Sequence, residues 1–405
     1  MTIQEDTFHY PFAGAEPMQP PCQWAQARES GPLVDIALPS GDHATLVTQY
    51  KQARALLGDA RFTRQVPADG GVRIAATEDG GVFSRQAGAG MAMFEGPGHL
   101  RWRRLVAKAF TIRRVEGMRA GIQQIAGELV DGMIAAGPPA DLVSAIGDHL
   151  PVRVIGSLLG VPPEDHHRFR SWSDAILTLT KFSKQDADAA RMEFGTYLAG
   201  LIEAKRADPG DDLLSELTQI SDADDGRLEL VELVITGIAL LVAGHETTAN
   251  MIGKMMAMAL AEPSRYAEIV ADRSIVPGAV EEFIRFDTNP SLGVPRYVTE
   301  DIDLCGTTVP EGATVIVSPA IANRDPRRFP DADQYDPRRE NNQHLSFGAG
   351  PHFCIGAPLA RVELQVVLDT LARRLPTLSL AVLHDELRVK SGLIVVGFDR
   401  VPVQW

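Results

Sequence analysis

Between His344 and Glu363 the chain reads HLSFGAGPHFCIGAPLARVE, which sets one cysteine in a glycine-punctuated loop that runs directly into a helical pattern. A thiol binds metal as thiolate, and the partial positive charge and free N–H groups of a helix N-terminus lower its pKa. Cys354 stands at that junction. Gly350 and Gly356 let the backbone curl under the sulfur, Pro358 suits a first helical turn, and Leu359, Val362 and Val366 give the following helix an apolar face. The residues alone leave three readings open: a thiolate metal ligand, a buried structural thiol, and a zinc site with His344 and His352, which lacks a fourth close ligand.

Other residues with chemical potential lie far from this loop in sequence. Ile235, Ala239, Ala243 and Thr247 fall at four-residue spacing and share one helix face, an unusually small one, so that Ala243 and Gly244 allow close approach of a flat partner. Glu246 and Thr247 place an acid and an alcohol mid-helix, where both can compete for backbone hydrogen bonds and loosen the ladder. Glu282 and Arg285, three apart, can pair on another helix. His99 and Arg103 are four apart on a third, and Arg296 and His352 add further cations.

These groups need a scaffold to hold them. The chain has 405 residues, 45% apolar and 23% charged, enough for a large core and outside the disordered range. With no Ser/Gly linker, repeat or charge block, one domain over 1–405 is expected. Helical periodicity dominates from His99 to Leu375, with candidate helices near 99–110, 116–136, 142–159, 164–180, 185–206, 211–219, 229–260, 264–272, 277–286 and 357–374. Strand patterns appear at 34–38 and 45–48, as a hairpin between 296 and 318, and in the tail from Leu378 to Val403, with a short helix at Tyr50–Leu57. Residues 1–32 read as irregular, and the glycine-rich stretch 69–98 reads as a lid. A mainly α fold with small β-sheets is the expected class.

Cys22, Cys305 and Cys354 are odd in number and far apart, which argues against a disulfide framework and for a reducing compartment. The first twenty residues carry Glu5, Asp6, His9, Glu16 and three prolines, so neither a signal segment nor a membrane anchor is expected. The apolar run Leu233–Gly244 is too short to span a bilayer. A net charge of −14 disfavours nucleic acid. A cytoplasmic protein without membrane or nucleic-acid partners is the expectation.

The spacing Phe347, Gly350, Cys354, Gly356 (F-x-x-G-x-x-x-C-x-G) resembles the haem-thiolate signature of the cytochrome P-450 family, in which the cysteine is the axial ligand of haem iron. The string Ala243-Gly244-His245-Glu246-Thr247 is similar to that family's oxygen-activation motif, and Glu282/Arg285 to its structural E-x-x-R pair. The resemblance implies the cytochrome P-450 fold, with a long oxygen-activating helix at 229–260 and a haem-ligand loop at 347–356 that includes Gly348. It implies haem b with Cys354 on the iron, the propionates held by His99, Arg103, Arg296 and His352, and proton delivery by Thr247 and Glu246. The family commonly has Arg where this chain has Gln334, so Arg338 and Arg339 become the candidate replacements. The pocket is expected from Met91, Met93, Phe94, Ile238, Val242, Ala243, Asn289, Ser291, Leu292, Gly293, Val294, Leu393 and Ile394.

The activity implied is oxidation of a small organic molecule by dioxygen, as hydroxylation, epoxidation or oxidative C–C or C–N bond formation, in specialised-metabolite biosynthesis. The electrons would come from NAD(P)H through a ferredoxin and its reductase. A basic cluster, Arg101, Arg103, Arg104, Lys108, Arg113 and Arg114, is the expected docking surface on an otherwise acidic chain. A peroxide-using or rearranging enzyme and a non-catalytic haem sensor are the competing classes.

Overall fold

The computed structural model describes residues 7–12, 17–66, 71–73, 93, 95–177, 181–220, 228–287, 292–390 and 395–405. Most of the proposed lid lies outside these residues. Near the N-terminus β1 (Phe8–His9), β2 (Leu33–Ala37), β3 (His43–Val47) and β4 (Phe62–Thr63) are interleaved with α1 (Cys22–Ser30) and α2 (Tyr50–Gly58). The helical body follows: α3 (Gly96–Val106), α4 (Ile112–Ala136), then after the short β5 (Ala140–Asp141) α5 (Leu150–Leu159), α6 (His166–Ile176), α7 (Lys184–Ala207), α8 (Leu213–Thr218), α9 (Leu230–Ala261), α10 (Pro263–Ala271) and α11 (Val276–Phe286). Strands β6 (Val294–Val298), β7 (Ile302–Leu304), β8 (Thr307–Val309) and β9 (Thr314–Val317) precede α12 (Pro319–Ala322) and α13 (Ala357–Arg374); β10 (Ser379–Leu380) and β11 (Pro402–Gln404) end the chain.

One helix organises the body. α9 starts where Glu229 and Glu232 cap each other reciprocally, and it packs on α5, α7 and α13. Leu241, Ile252, Met255 and Met256 are fully enclosed, and burying each such side chain contributes about 2 kcal/mol. By length and composition α9 could cross a membrane. Its packing inside the bundle and its buried His245 and Glu246 mark it as a core helix instead.

The largest sheet runs β1-β2-β3-β9-β6-β4, with β3 parallel to β9 and the β2–β3 and β9–β6 pairs antiparallel. All four residues of β9 are buried, as a central strand requires. This register carries Arg296, opposite Val315, into the interior. Two smaller sheets, β10-β11-β5 and β7-β8, complete the minor part.

The N-terminal stretch expected to be irregular contains α1. Its helix has no side-chain cap and lacks acidic residues in its first turn, so it gives little local signal. Tertiary contacts hold it, with Trp24 and Ala27 in a core shared with β2 and β3, and Arg28 Nη1 donating to the Ile321 carbonyl at 3.4 Å.

Candidate active site

The cysteine loop closes on itself before α13 begins. Cys354 N donates to Phe347 O at 2.8 Å, Phe353 N to Gly350 O at 3.0 Å and Gly348 N to Leu345 O at 2.8 Å. Gly348 (φ +73°) and Gly350 (φ +69°) take left-handed conformations that L side chains rarely adopt. A Cβ at Gly350 would lie 2.6 Å from both Leu57 O and Gly58 Cα, so the loop is seated directly on the end of α2. Gly356 departs from the expectation. Its φ of −83° suits any residue, and a Cβ there would meet nothing within 4 Å, so its lack of a side chain leaves room beside the sulfur rather than curling the chain.

The Cys354 side chain is exposed although its loop is packed on the core. Crowding by protein on its other sides pushes the thiol pKa up. The backbone N–H groups of Gly356 and Ala357 and the charges of Arg103 and Arg361 oppose that rise. Among the described residues no group of three or more His, Cys, Asp or Glu side chains could hold a metal ion, which removes the zinc reading; His344 is instead 3.3 Å from Glu281.

α9 runs unbroken through the Ala243–Thr247 pentad. Thr247 Oγ1 donates to Ala243 O at 2.7 Å, sharing a carbonyl with the helix ladder without opening it. Ala243 and Thr247 are exposed in the middle of an otherwise buried stretch, so this face of the core helix borders open space. Gly244 does not share that face. A Cβ on it would come within 2.9 Å of Ile155, so it permits close packing on α5 and not approach to a flat partner. Glu246 likewise points elsewhere. It is buried, with Oε1 2.9 Å from His245 Nε2, and His245 Nδ1 lies 3.5 Å from Ser173 Oγ. Burial works to raise the Glu246 pKa, but the His245 hydrogen bond, with the charges of His245, Lys390 and Arg170, holds it below the usual carboxylate range.

His99, Arg103, Arg296 and His352 lie in one neighbourhood. The His99 and His352 rings stack at 4.3 Å, and Arg103 Nη2 donates to the carbonyl of Phe353, next to the cysteine, at 2.6 Å. Burial, then the charges of His352, Arg103 and Arg64, push His99 down to about 4, with Glu95 opposing. Arg296 is 4% exposed and forms no ion pair among the described residues; desolvation and Arg64 lower its pKa to about 10. Two members of the cluster carried no sequence signal. Arg64 follows β4 in an irregular segment, and its backbone N donates to Glu95 Oε1 at 2.9 Å; that carboxylate is also 3.6 Å from His352 Nε2. Buried His352 Nδ1 has no hydrogen-bond partner among the described residues. Three arginines (Arg64, Arg103 and Arg296) and two imidazoles (His99 and His352) around one carboxylate, beside an exposed thiol, form a site that suits a dianionic ligand with a metal centre, and haem, with two propionates and an iron, fits it.

Behind the loop, Arg285 Nη2 and Nε grip Glu282 at 2.7 and 2.8 Å, with both side chains fully buried. Arg339 is the replacement for the arginine missing at Gln334. Its Nε donates to Glu282 Oε1 at 3.1 Å, whereas Arg338 pairs outside with Glu268 and Asp272. Gln334 contributes its carbonyl, which accepts from Arg285 and Arg339. Of the pocket residues, Ile238 and Val294 are half-buried, Leu292 and Val242 are buried, and Met93 packs on the core. Met91, Phe94, Asn289, Ser291, Leu393 and Ile394 lie outside the described residues. A contact without sequence signal pins this segment: Tyr10 Oη donates to Leu292 O at 2.9 Å.

A mainly helical body built on one long core helix, a cysteine loop leading into a helix and a buried Glu-Arg pair define a haem-thiolate fold, and the cytochrome P-450 family model matches residues 155–377. The chain belongs to the cytochrome P-450 family. It is 40% identical to the mycinamicin IV hydroxylase/epoxidase of Micromonospora griseorubida over 98% of both chains. It is 41% identical to the cytochrome P-450 monooxygenase PikC of Streptomyces venezuelae over 94% of this chain and 90% of that one. The solved structure of the LnmA cytochrome P-450 hydroxylase of the leinamycin pathway of Streptomyces atroolivaceus superposes with a TM-score of 0.88 at 39% identity, covering 98% and 100% of the two chains. The protein is a haem-binding monooxygenase of natural-product metabolism.

Proposed function

We propose that Cys354 ligates haem iron and that His99, Arg103, Arg296 and His352, joined by Arg64, hold the propionates, in a single-domain cytoplasmic enzyme. The reading rests on one observation: an exposed thiol beside Arg103, Arg64 and Arg296, whose charge Glu95 offsets only in part, with Arg296 in no ion pair among the described residues. When bound, haem supplies the iron at which dioxygen is reduced with two electrons and two protons. The chain's own residues supply position and protons. Thr247 donates its O–H hydrogen bond to the Ala243 carbonyl, which leaves its oxygen lone pairs free to accept from a proton-bearing water at the exposed face of α9. Glu246, ionised and paired with His245, is the relay group one residue away: its carboxylate takes up a proton and passes it on toward that water.

The substrate is a small natural-product scaffold, bound against Ile238, Leu292 and Val294. The reaction is hydroxylation, epoxidation or oxidative C–C or C–N bond formation. Electrons come from NAD(P)H through a ferredoxin and its reductase. Arg104, Lys108 and Arg113 are exposed on and just after α3, with Leu100 and Ile112 exposed among them, which supports docking of an acidic partner there. Arg101 and Arg114 are engaged with Glu232 and Glu216 and are not part of that surface.

The test is Cys354→Ser. An alcohol cannot provide the anionic sulfur donor, so the reduced, carbon-monoxide-bound variant is expected to lose the red-shifted Soret band of a thiolate complex. An unchanged band removes Cys354 as ligand and the reading with it.

A further inference from the structure

Adjacent acids on α11 serve two different networks. Glu282 turns inward to Arg285 and Arg339, whereas Glu281 turns toward α13, where Arg361 grips it with two hydrogen bonds, Nε to Oε1 at 2.7 Å and Nη2 to Oε2 at 2.9 Å. Buried His344 joins the same carboxylate at 3.3 Å. Burial works against the Glu281 charge, but hydrogen bonds from His344 and Arg361 hold its pKa down to about 2, so it is ionised throughout the neutral range. The guanidinium of Arg361 also lies over the Phe347 ring of the cysteine loop, with Cζ 4.5 Å from the ring centroid. The His344 ring meets the same phenyl group at 5.6 Å, and its Nδ1 accepts from Ser346 N at 3.3 Å. The carbonyl of Phe347 is the acceptor for Cys354 N. A continuous path of contacts therefore leads from Glu281 through Arg361 and Phe347 to the backbone that carries the sulfur.

We propose that Glu281, Arg361 and His344 form a positioning clamp that fixes Phe347 and sets the net charge beside the cysteine sulfur, so that these residues tune the reduction potential of the haem-thiolate centre. The proposal rests on Cys354 being the haem ligand. Arg361 supplies positive charge near the sulfur and Glu281 offsets it, while the bidentate geometry prevents the guanidinium from leaving the ring. Positive charge near the centre favours the reduced, more negative state. Removing Glu281's charge and removing Arg361's charge therefore act with opposite signs, which loss of packing alone does not produce.

The experiment measures the reduction potential of the loaded protein by spectroelectrochemistry for wild type, Glu281→Gln, Arg361→Gln, Arg361→Lys and the Glu281→Gln/Arg361→Gln double variant. Glu281→Gln is expected to raise the potential and Arg361→Gln to lower it. Each changes the ferrous-to-ferric ratio at fixed applied potential about threefold, or about 28 mV for a one-electron couple. The double variant returns close to wild type, and Arg361→Lys, which keeps the charge but loses the guanidinium–ring contact, keeps the potential while broadening the carbon-monoxide band. If Arg361→Gln does not load haem, Glu281→Gln and Arg361→Lys decide alone: a raised potential in the first with an unshifted one in the second supports the clamp. Shifts of the same sign, or none, in variants that retain the thiolate band overturn it. Failure of the underlying reading shows separately, as a thiolate band that survives Cys354→Ser.

Discussion

Gly350→Ala tests whether the seat of the cysteine loop on α2 positions the sulfur. Two costs add at this position. An alanine held at φ +69° costs about 1–2 kcal/mol, because Cβ crowds the neighbouring carbonyl in the left-handed region. The new Cβ would also stand 2.6 Å from Leu57 O and Gly58 Cα and 3.1 Å from Gly58 N, where ordinary contacts begin several tenths of an ångström further out. These are backbone atoms that cannot rotate away, so the loop must lift off α2 at a cost of about 1–3 kcal/mol. Gly348→Ala is the matched control. Its φ is +73°, but its Cβ meets only His352 O, at 3.8 Å, so it carries the conformational cost without the collision. At about 2.1 cal/mol/K per residue, unfolding of a chain this long has an entropy of about 0.85 kcal/mol/K, so each kcal/mol lowers the thermal midpoint by about 1 °C. Gly348→Ala is expected to lower it by about 1–2 °C and Gly350→Ala by about 2–6 °C. Gly350→Ala alone is expected to reduce haem retained after gel filtration and to blunt the thiolate band, because the lifted loop displaces Cys354. Equal midpoints and equal haem content in the two variants would refute the argument that this contact places the sulfur.

Thr247→Ala removes the exposed hydroxyl of α9 and is expected to retain haem and substrate binding while diverting reducing equivalents to hydrogen peroxide or water. Product per NAD(P)H consumed is the measurement, and coupling at the wild-type level would assign proton delivery to another group. Charge reversal at Arg104, Lys108 and Arg113 should slow reduction by an acidic ferredoxin about tenfold at low salt and flatten its salt dependence, leaving substrate affinity unchanged. Equal stopped-flow rates across a salt series would move the docking surface elsewhere. His99 makes the haem-free protein sensitive to acid: its folded pKa of about 4 lies below the unfolded value, so as pH falls from 6.5 the unfolded chain takes the proton first. Stability present above pH 6.5 is lost between 6.5 and 4, by about 3 kcal/mol at most, and His99→Asn should flatten that part of the denaturation profile. An anion bound among His352, Arg103, Arg64 and Arg296 relieves their repulsion, so the loaded protein should lose less over the same range.

The residues that covalent spacing places on one helix face or in one tight loop were legible from the chain alone. Cys354 before α13, Ala243 with Thr247, Glu282 with Arg285 and His99 with Arg103 all sit within a turn or a short loop of one another, where helix geometry leaves little freedom. The absence of an arginine at Gln334 was equally plain, but which residue replaced it was not. Arg338 and Arg339 are neighbours, and only the fold turns Arg339 inward to Glu282 and Arg338 outward to Glu268. Orientation around α9 was also a tertiary matter. Gly244 and Glu246 belong to the same pentad as Thr247, yet α5 takes the face of one and His245 the carboxylate of the other. Arg64, Glu95, Tyr10 and the Glu281–Arg361 pair had no sequence signal, because each reaches its partner across 31 to 282 residues of chain. Such contacts form only after the sheet and bundle close, when a buried charge must find whichever opposite charge or carbonyl the fold has brought beside it.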